Sequence, residues 1–255
     1  MIILLSPAKT LNSNPPKRAI ELSQPLYLKE SEHLMRQLKK LKKNHIQSSF
    51  NINPDLTRLN YERFQLWDNN FDNWNYAPAI LTFIGEVFRG LDAKDLDINQ
   101  LHYANDHLRI LSGLFGILKP LDNIRPYRLE MGIKLPNRRG RDLYSFWKKT
   151  LTASLRQELK SHDQAVIINL ASKEYFSAID FKSLNTRVIN FSFKDFKNGE
   201  YKFLTVYGKN ARGKMARFII KNEIKNPEDL KAFDYGGYNF NPELSAGNNL
   251  VFTRG

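Results

Sequence analysis

The chain has 255 residues, which is long enough for one large domain or two small ones with a substantial core. Hydrophobic residues make up 42% and charged residues 25%, as is usual for globular proteins, and the absence of cysteine excludes disulfides, thiol redox sensing and thiolate-bound metals. The formal net charge of +13 is uneven, with +6 in residues 1–50, +6 in residues 101–150 and −4 in residues 51–100. This pattern indicates a polyanionic partner, although a generically basic surface is the alternative.

The chain begins with a short apolar run, residues 2–5, that predicts a buried central strand. Residues 6–10, Ser-Pro-Ala-Lys-Thr, follow directly and therefore lie at the carboxyl end of that strand, where α/β sheets usually bind ligands. The run is too short for a signal peptide and no stretch of the sequence spans a bilayer, so we expect a cytoplasmic protein without a membrane partner.

The next part of the chain, residues 26–118, is predicted to be mainly helical. Residues 31–43 carry an apolar stripe, and the Asn53-Pro54-Asp55 sequence marks a helix start. Further helices are predicted for residues 78–88 and 97–111. Residues 12–18 and 68–76 are predicted to be loops.

Residues 105–132 form the central stretch of the sequence. We expect a helix that meets Gly113-Leu114-Phe115-Gly116, where two glycines bracket two large apolar residues, and a second helical turn after it. This order resembles the helix-hairpin-helix element of DNA-binding proteins, whose hairpin amides contact phosphate oxygens. Lys119, Arg125 and Arg128 follow and add positive charge. A helix capped by glycine and followed by an ordinary loop is the alternative.

The second half of the chain returns to strands. Residues 165–170 repeat the first pattern of an apolar strand, small polar residues and one lysine, here Lys173. Residues 186–193 and 201–207 are predicted strands around an Asn-Gly turn, and residues 250–253 a last strand. A basic helix is predicted for residues 209–224, with Lys214, Arg217 and Lys221 beside its core face.

Catalytic and metal-binding patterns are sparse. Five histidines are scattered and no Glu-x-x-His helix is present, so we expect no metal and no cofactor. Lys9 and Lys173 both follow apolar strands, where a buried amine acts as a nucleophile if its pKa is lowered. Electrostatic phosphate binding is the interpretation we prefer for both.

Several segments together resemble the YaaA family of bacterial cytoplasmic proteins linked to peroxide-stress resistance. They are LLSPAKT (4–10), SGLFGILKPLDNIRPYRLEMG (112–132), NLASKEYF (169–176), KNARGKMARFI (209–219) and YGGYNF (235–240). The resemblance covers almost the whole chain. It implies a mixed α/β fold peculiar to the family, duplex DNA binding through a basic cleft, and limited free intracellular iron and DNA damage under peroxide stress.

The resulting prediction is a single compact α/β domain, residues 1–255, with a mixed sheet flanked by helices and a helix-hairpin-helix-like element near residues 105–125. We expect a monomer that binds double-stranded DNA, including branched or damaged DNA. A DNA-processing enzyme that attacks damaged bases or abasic sites through Lys9 is the alternative. The predicted DNA-binding residues are Lys9, Gly113, Gly116, Lys119, Arg125, Arg128, Lys173, Lys209, Arg212, Lys214 and Arg217.

Overall fold

The computed structural model describes residues 1–16, 19–68, 70 and 77–255, and it confirms the mixed α/β fold. The strands are β1 (Ile2–Leu5), β2 (Thr10–Leu11), β3 (Ala77–Pro78), β4 (Phe83–Ile84), β5 (Leu108–Ser112), β6 (Gly116–Leu118), β7 (Asn123–Ile124), β8 (Val166–Leu170), β9 (Arg187–Lys197), β10 (Glu200–Lys202), β11 (Asn239–Phe240) and β12 (Asn249–Arg254). The helices are α1 (Leu28–Lys39), α2 (Lys43–Phe50), α3 (Pro54–Gln65), α4 (Ala79–Thr82), α5 (Glu86–Leu91), α6 (Ile98–His107), α7 (Leu143–Leu159), α8 (Lys173–Phe176), α9 (Phe181–Leu184) and α10 (Thr205–Lys221). Of the predicted loops, residues 17–18, 69 and 71–76 lie outside the described residues.

One large sheet organises the described part of the chain, with strand order β11-β12-β9-β8-β1-β5-β6 and β10 paired to β9. The five central strands, β12, β9, β8, β1 and β5, are parallel, and the remaining strands add antiparallel edges. Parallel strands place all their carboxyl ends at one edge of the sheet. The molecule therefore has a carboxyl edge, where the parallel strands end, and an amino edge, where they begin.

The first strand holds the centre because its sequence is apolar without interruption. All four residues of β1 are completely buried, between β8 on one side and β5 on the other. A strand buried on both faces is typical of a parallel sheet covered by helices. The prediction for residues 2–5 is confirmed.

The basic helix α10 crosses this sheet from edge to edge. It contacts β1, β8 and β9, and it begins just after β10, whose Lys202 is paired with Asp195 near the carboxyl end of β9. Beyond its other end, Ile224 lines a cavity together with Met1, which lies at the amino edge. The first turns of α10 are therefore at the carboxyl edge and its last turns near the amino edge.

The predicted helix-hairpin-helix element is wrong. The helix α6 ends at His107, and the chain continues as β5, a tight turn and β6, which form an antiparallel β-hairpin. Leu108, Leu111 and Leu114 fit a helical spacing, but a fully buried strand of the same length has no polar face to break that pattern. Ser112 Oγ accepts hydrogen bonds from the amides of Leu114 (3.2 Å) and Phe115 (2.9 Å) and so closes the turn.

Other predicted elements are confirmed with shifted bounds, but the single helix predicted for residues 78–88 is wrong. The helix α4 ends at Thr82, the strand β4 and Gly85 at φ +154° interrupt it, and α5 begins only at Glu86. Asn53 caps α3 by accepting a hydrogen bond from the Leu56 amide at 2.9 Å. The Asn198-Gly199 turn joins β9 to β10 with both residues at positive φ, as the sequence predicts. The predicted strand over residues 201–207 is wrong beyond Lys202, because α10 begins at Thr205 and continues to Lys221.

The buried apolar side chains form a continuous cluster that includes residues from Met1 to Phe252. All four methionines of the sequence, Met1, Met35, Met131 and Met215, are in this core and are at most 4% exposed.

Candidate functional site

The loops after β1 and β8 meet at the carboxyl edge of the sheet. Ser6 Oγ accepts a hydrogen bond from the Ser172 amide at 2.8 Å and donates to Ser172 Oγ at 3.2 Å. These bonds join the segment that contains Lys9 to the start of α8, where Lys173 is exposed. The two lysine-containing loops that the sequence singled out are thus neighbours, because both follow adjacent parallel strands.

Glu130 organises two of the predicted cations at this edge. Its carboxylate lies 3.3 Å from Lys9 Nζ and accepts a hydrogen bond from Arg128 Nη2 at 2.8 Å. The Glu130 and Arg128 side chains are only 8% and 13% exposed, whereas that of Lys9 is 65% exposed. Lys9 therefore reaches from a buried carboxylate towards solvent.

A gap remains beside this ion-pair cluster. Glu130 Oε2 and Arg128 Nε are buried without a hydrogen-bond partner among the described residues. They border a cavity of about 10 Å³ that is also lined by Lys9, Tyr127 and Tyr175. A volume of that size holds about one water molecule, which suits two unsatisfied polar atoms but not a substrate.

Hydrogen bonds at both ends hold the segment that carries Arg128 and Glu130. Tyr127 is buried and its hydroxyl shares a 2.6 Å hydrogen bond with Ser112 Oγ, and Glu174 accepts a hydrogen bond from the Gly132 amide at 3.1 Å. Burial raises the pKa of the Tyr127 hydroxyl above its usual value, so this phenol stays neutral and acts as a hydrogen-bonding strut. Tyr175, buried close by, also has a raised pKa because of its burial.

The helices α5 and α10 cross in direct backbone contact. A Cβ on Gly213 would overlap the Val87 carbonyl oxygen, and one on Gly90 would overlap the Asn210 carbonyl oxygen. Only glycine permits this approach. The contact brings the first half of α10 to the loop after β1, because Gly85, just before α5, lies against Ala8.

Arg212 differs from the other arginines of this region. Its guanidinium lies 5.8 Å from the Phe203 ring centroid, and within the described part of the chain no carboxylate pairs with it. Burial lowers the pKa of Arg212 below its usual value, and among the described residues no acidic group raises it again. A largely desolvated cation without a counter-ion is costly, so the arrangement is suited to an anion that arrives from outside.

Three further predicted cations also lack a carboxylate partner in the described part of the chain, although two of them, unlike Arg212, are exposed. Among the described residues, Lys173, Lys209 and Lys214 have no carboxylate within ion-pair distance. Lys173 and Lys209 are exposed, and Lys214 is half-buried with its ammonium against Gly236. With Lys9, Arg128 and Arg212, these residues are called the carboxyl-edge cations below.

Arg217 has a different role. Its guanidinium donates to Asp95 at 2.7 and 2.5 Å and to the carbonyl oxygens of Leu91 (3.1 Å) and Asp92 (2.7 Å), so it clamps the end of α5 to α10. This hydrogen bond from Arg217 lowers the pKa of Asp95 to about 2. The donors of Arg217 are already occupied, and we exclude it from the proposed DNA-binding residues.

The two glycines of the central stretch have packing roles. Gly113 and Gly116 are buried, a Cβ on Gly113 would overlap the Leu129 carbonyl oxygen, and one on Gly116 would lie 2.6 Å from the Trp147 ring. Gly113 O also accepts a hydrogen bond from Trp147 Nε1 at 2.8 Å. The amides bonded to Ser112 in this turn are those of Leu114 and Phe115, and both glycines pack against buried neighbours, so Gly113 and Gly116 are not carried into the proposed phosphate contacts.

Lys119 lies away from the carboxyl-edge cations. Lys119 follows β6, which runs antiparallel to β5 and so ends at the amino edge, where it lines a cavity of about 990 Å³ with Met1 and His107. Arg125 stacks over Trp67 at 5.6 Å from the ring centroid. No local pattern in the sequence indicates that the sheet separates Lys119 from Lys9.

In residues 1–16, 19–68, 70 and 77–255, no group of three or more His, Asp or Glu side chains is placed to hold a metal ion. Over the same ranges no helix is both long and apolar enough to cross a membrane.

Comparison with known proteins gives the family. Residues 1–244 match the family described as "Peroxide stress protein YaaA". The chain belongs to the YaaA family. Two relatives named "UPF0246 protein", from Saccharophagus degradans and Dechloromonas aromatica, are 44% and 45% identical over 254 residues, which is 100% of this chain and 99% of each relative. Membership of the YaaA family supports a role in peroxide stress.

Proposed function

We propose that this YaaA-family protein is a cytoplasmic, monomeric DNA-binding protein of the peroxide-stress response, and that the carboxyl-edge cations contact the phosphates. The observation that carries the proposal is Arg212, a largely desolvated guanidinium with which no carboxylate pairs in the described part of the chain. Phosphate oxygens accept hydrogen bonds from guanidinium groups with matching geometry.

The surroundings of Arg212 support a polyanion over a small anion. The unpaired cations are spread over α8 and the first half of α10, and the cavity at Glu130 holds about one water molecule. A single phosphate or nucleotide would use only a few of them, whereas a DNA backbone presents a charge every few ångströms. The residues we propose for phosphate contact are Lys9, Arg128, Lys173, Lys209, Arg212 and Lys214.

The test is the salt dependence of duplex binding, measured by fluorescence anisotropy. If about five phosphates are neutralised, log affinity should fall against log salt with a slope of roughly −4 to −5. Lys209→Gln should make the slope shallower by about 1, because one phosphate contact is lost. Lys119→Gln, which removes the same charge from an exposed lysine at the amino edge, is the matched control and should leave the slope unchanged.

Two results would contradict the proposal. No binding at low salt would exclude DNA as the partner. Equal effects of Lys209→Gln and Lys119→Gln would mean that net charge alone, and not the carboxyl edge, attracts the DNA.

The enzyme alternative depends on Lys9 as a nucleophile. A Schiff-base lysine must lose its proton before it attacks, and desolvation or a second cation promotes that loss. Here the Lys9 side chain is 65% exposed and its ammonium lies 3.3 Å from the Glu130 carboxylate, so the amine is not desolvated. We therefore prefer phosphate contact for Lys9.

A further inference from the structure

A group of exposed apolar side chains surrounds the start of α10. Phe196 is 52% exposed, Phe203 47%, Val206 57% and Tyr207 50%. They lie on the β9–β10 hairpin and the first turn of the helix, so twelve residues of the chain, 196–207, carry all four. Large exposed aromatic rings grouped in this way indicate a binding surface.

Two of these rings each pack against an arginine guanidinium. The Phe203 ring packs on the helix backbone at Gly208, where a Cβ would overlap it, and has the Arg212 guanidinium 5.8 Å from its centroid. The Tyr207 ring has the Arg254 guanidinium at 4.8 Å, and Arg254 Nε is anchored to Asp195 at 2.7 Å. Because each ring contacts its cation and is still about half exposed, part of its surface remains open to solvent.

The charge around these rings matches nucleic acid. Arg212 lies behind Phe203, and Lys197 and Lys209 are exposed on the same hairpin and helix. Aromatic rings beside cations are the usual site at which unpaired bases stack while the cations contact the backbone. Bases inside an intact duplex are already stacked on each other, so only unpaired ones are available to the rings.

We propose that Phe203 and Tyr207 stack unpaired bases, so that the protein prefers DNA with a single-stranded extension over a continuous duplex. This inference rests on the proposed DNA binding and adds the structural class of DNA. The carboxyl-edge cations would contact the phosphates of the duplex, and the two rings would select the place where it opens.

Three labelled DNAs test the proposal: a blunt duplex, the same duplex with a thymine overhang, and the same duplex with an abasic overhang of equal length. The last two have the same phosphates and differ only in their bases. We expect the wild-type protein to bind the thymine overhang at least about 5-fold more tightly than the abasic overhang, since one stacked base accounts for about 5- to 150-fold. Phe203→Leu and Tyr207→Leu should each reduce this ratio and leave blunt-duplex affinity within about 2-fold.

Two variants serve as controls. Tyr207→Phe keeps a ring and should keep the preference, and Val206→Ala shortens an exposed neighbour that has no ring and should also keep it. If the wild-type protein binds blunt duplex but does not distinguish the two overhangs, the stacking proposal is overturned and DNA binding stands. If it binds none of the three DNAs, the proposed function itself fails. The wild-type comparison decides even if a leucine variant does not fold.

Discussion

Arg212→Met should make the protein more stable and a weaker DNA binder at the same time. In the free protein the guanidinium is largely desolvated and no carboxylate among the described residues pairs with it. The cation–π contact with Phe203 offsets part of the cost of burying this charge, by about 0.5–1 kcal/mol. Methionine has a similar helix propensity and a flexible apolar side chain that suits the place of the arginine stem.

The magnitude follows from the cost of the buried charge. Replacing buried charged groups by apolar side chains of similar volume stabilises proteins by about 1–4 kcal/mol, and we expect the low end because Arg212 keeps some contact with solvent. A gain of about 1 kcal/mol corresponds to a rise in Tm of about 2–4 °C for a chain of this size. Loss of the charged hydrogen bond to phosphate, about 1.5–3 kcal/mol, should weaken duplex binding by roughly 10- to 150-fold.

Differential scanning calorimetry and fluorescence anisotropy measure the two effects. Arg187→Met is the matched control, because Arg187 lies at the amino edge and already pairs with Glu228 at 3.0 Å. That variant should lower Tm slightly and leave DNA affinity nearly unchanged. If Arg212→Met loses several degrees of Tm, or binds DNA as tightly as the wild-type protein, the guanidinium is a structural group and the reasoning fails.

Two further predictions concern the central turn and Lys9. Gly116→Ala should reduce the free energy of unfolding by about 3 kcal/mol in a urea titration, because φ is +71° and the new Cβ would lie 2.6 Å from Trp147. The control, Gly199→Ala, has φ +83° but open space around the new Cβ, and it should cost only about 1–2 kcal/mol. Equal losses in the two variants would show that Trp147 is not the constraint. For Lys9, incubation with an abasic duplex and borohydride should leave no covalent band on a denaturing gel, because the ammonium is paired with Glu130. A shifted band that Lys9→Ala abolishes and Lys173→Ala preserves would instead favour the DNA-processing enzyme.

The parallel core of the fold was predictable because its sequence signals are local. A short apolar run such as β1, or β8 with Asn169 as its one polar residue, has few alternatives to a buried strand, and the Asn198-Gly199 pair matches the positive φ values that its turn requires. The placement of Lys9 and Lys173 at one edge also followed, since strands that run in parallel end at the same side.

The central stretch was not predictable from spacing alone. Leu108 and Leu111 satisfy the helical period, but β5 is buried on all sides, so a strand satisfies the same apolar pattern. The packing of Gly113 and Gly116 depends on Leu129 and Trp147, which come later in the chain. No local pattern records such a contact.

The sequence was sufficient to predict which charged residues form the candidate site. It was not sufficient to predict which of them pair with carboxylates. The sequence places Arg212 and Arg217 on one helix with similar neighbours, yet Asp95 pairs with Arg217, whereas no carboxylate among the described residues pairs with Arg212. Glu130 stood beside Arg128 in the sequence without any sign that it also reaches Lys9. Pairings of this kind are decided by the fold.

The burial of all four methionines gains a meaning from the family's link to peroxide. The thioether of methionine and the thiol of cysteine are the side-chain sulfur groups that oxidants convert, and the sequence has no cysteine. The methionine side chains are enclosed in the core, so peroxide can reach their sulfur atoms freely only after the chain opens. The folded molecule therefore shields the sulfur atoms of all four methionines from direct contact with peroxide.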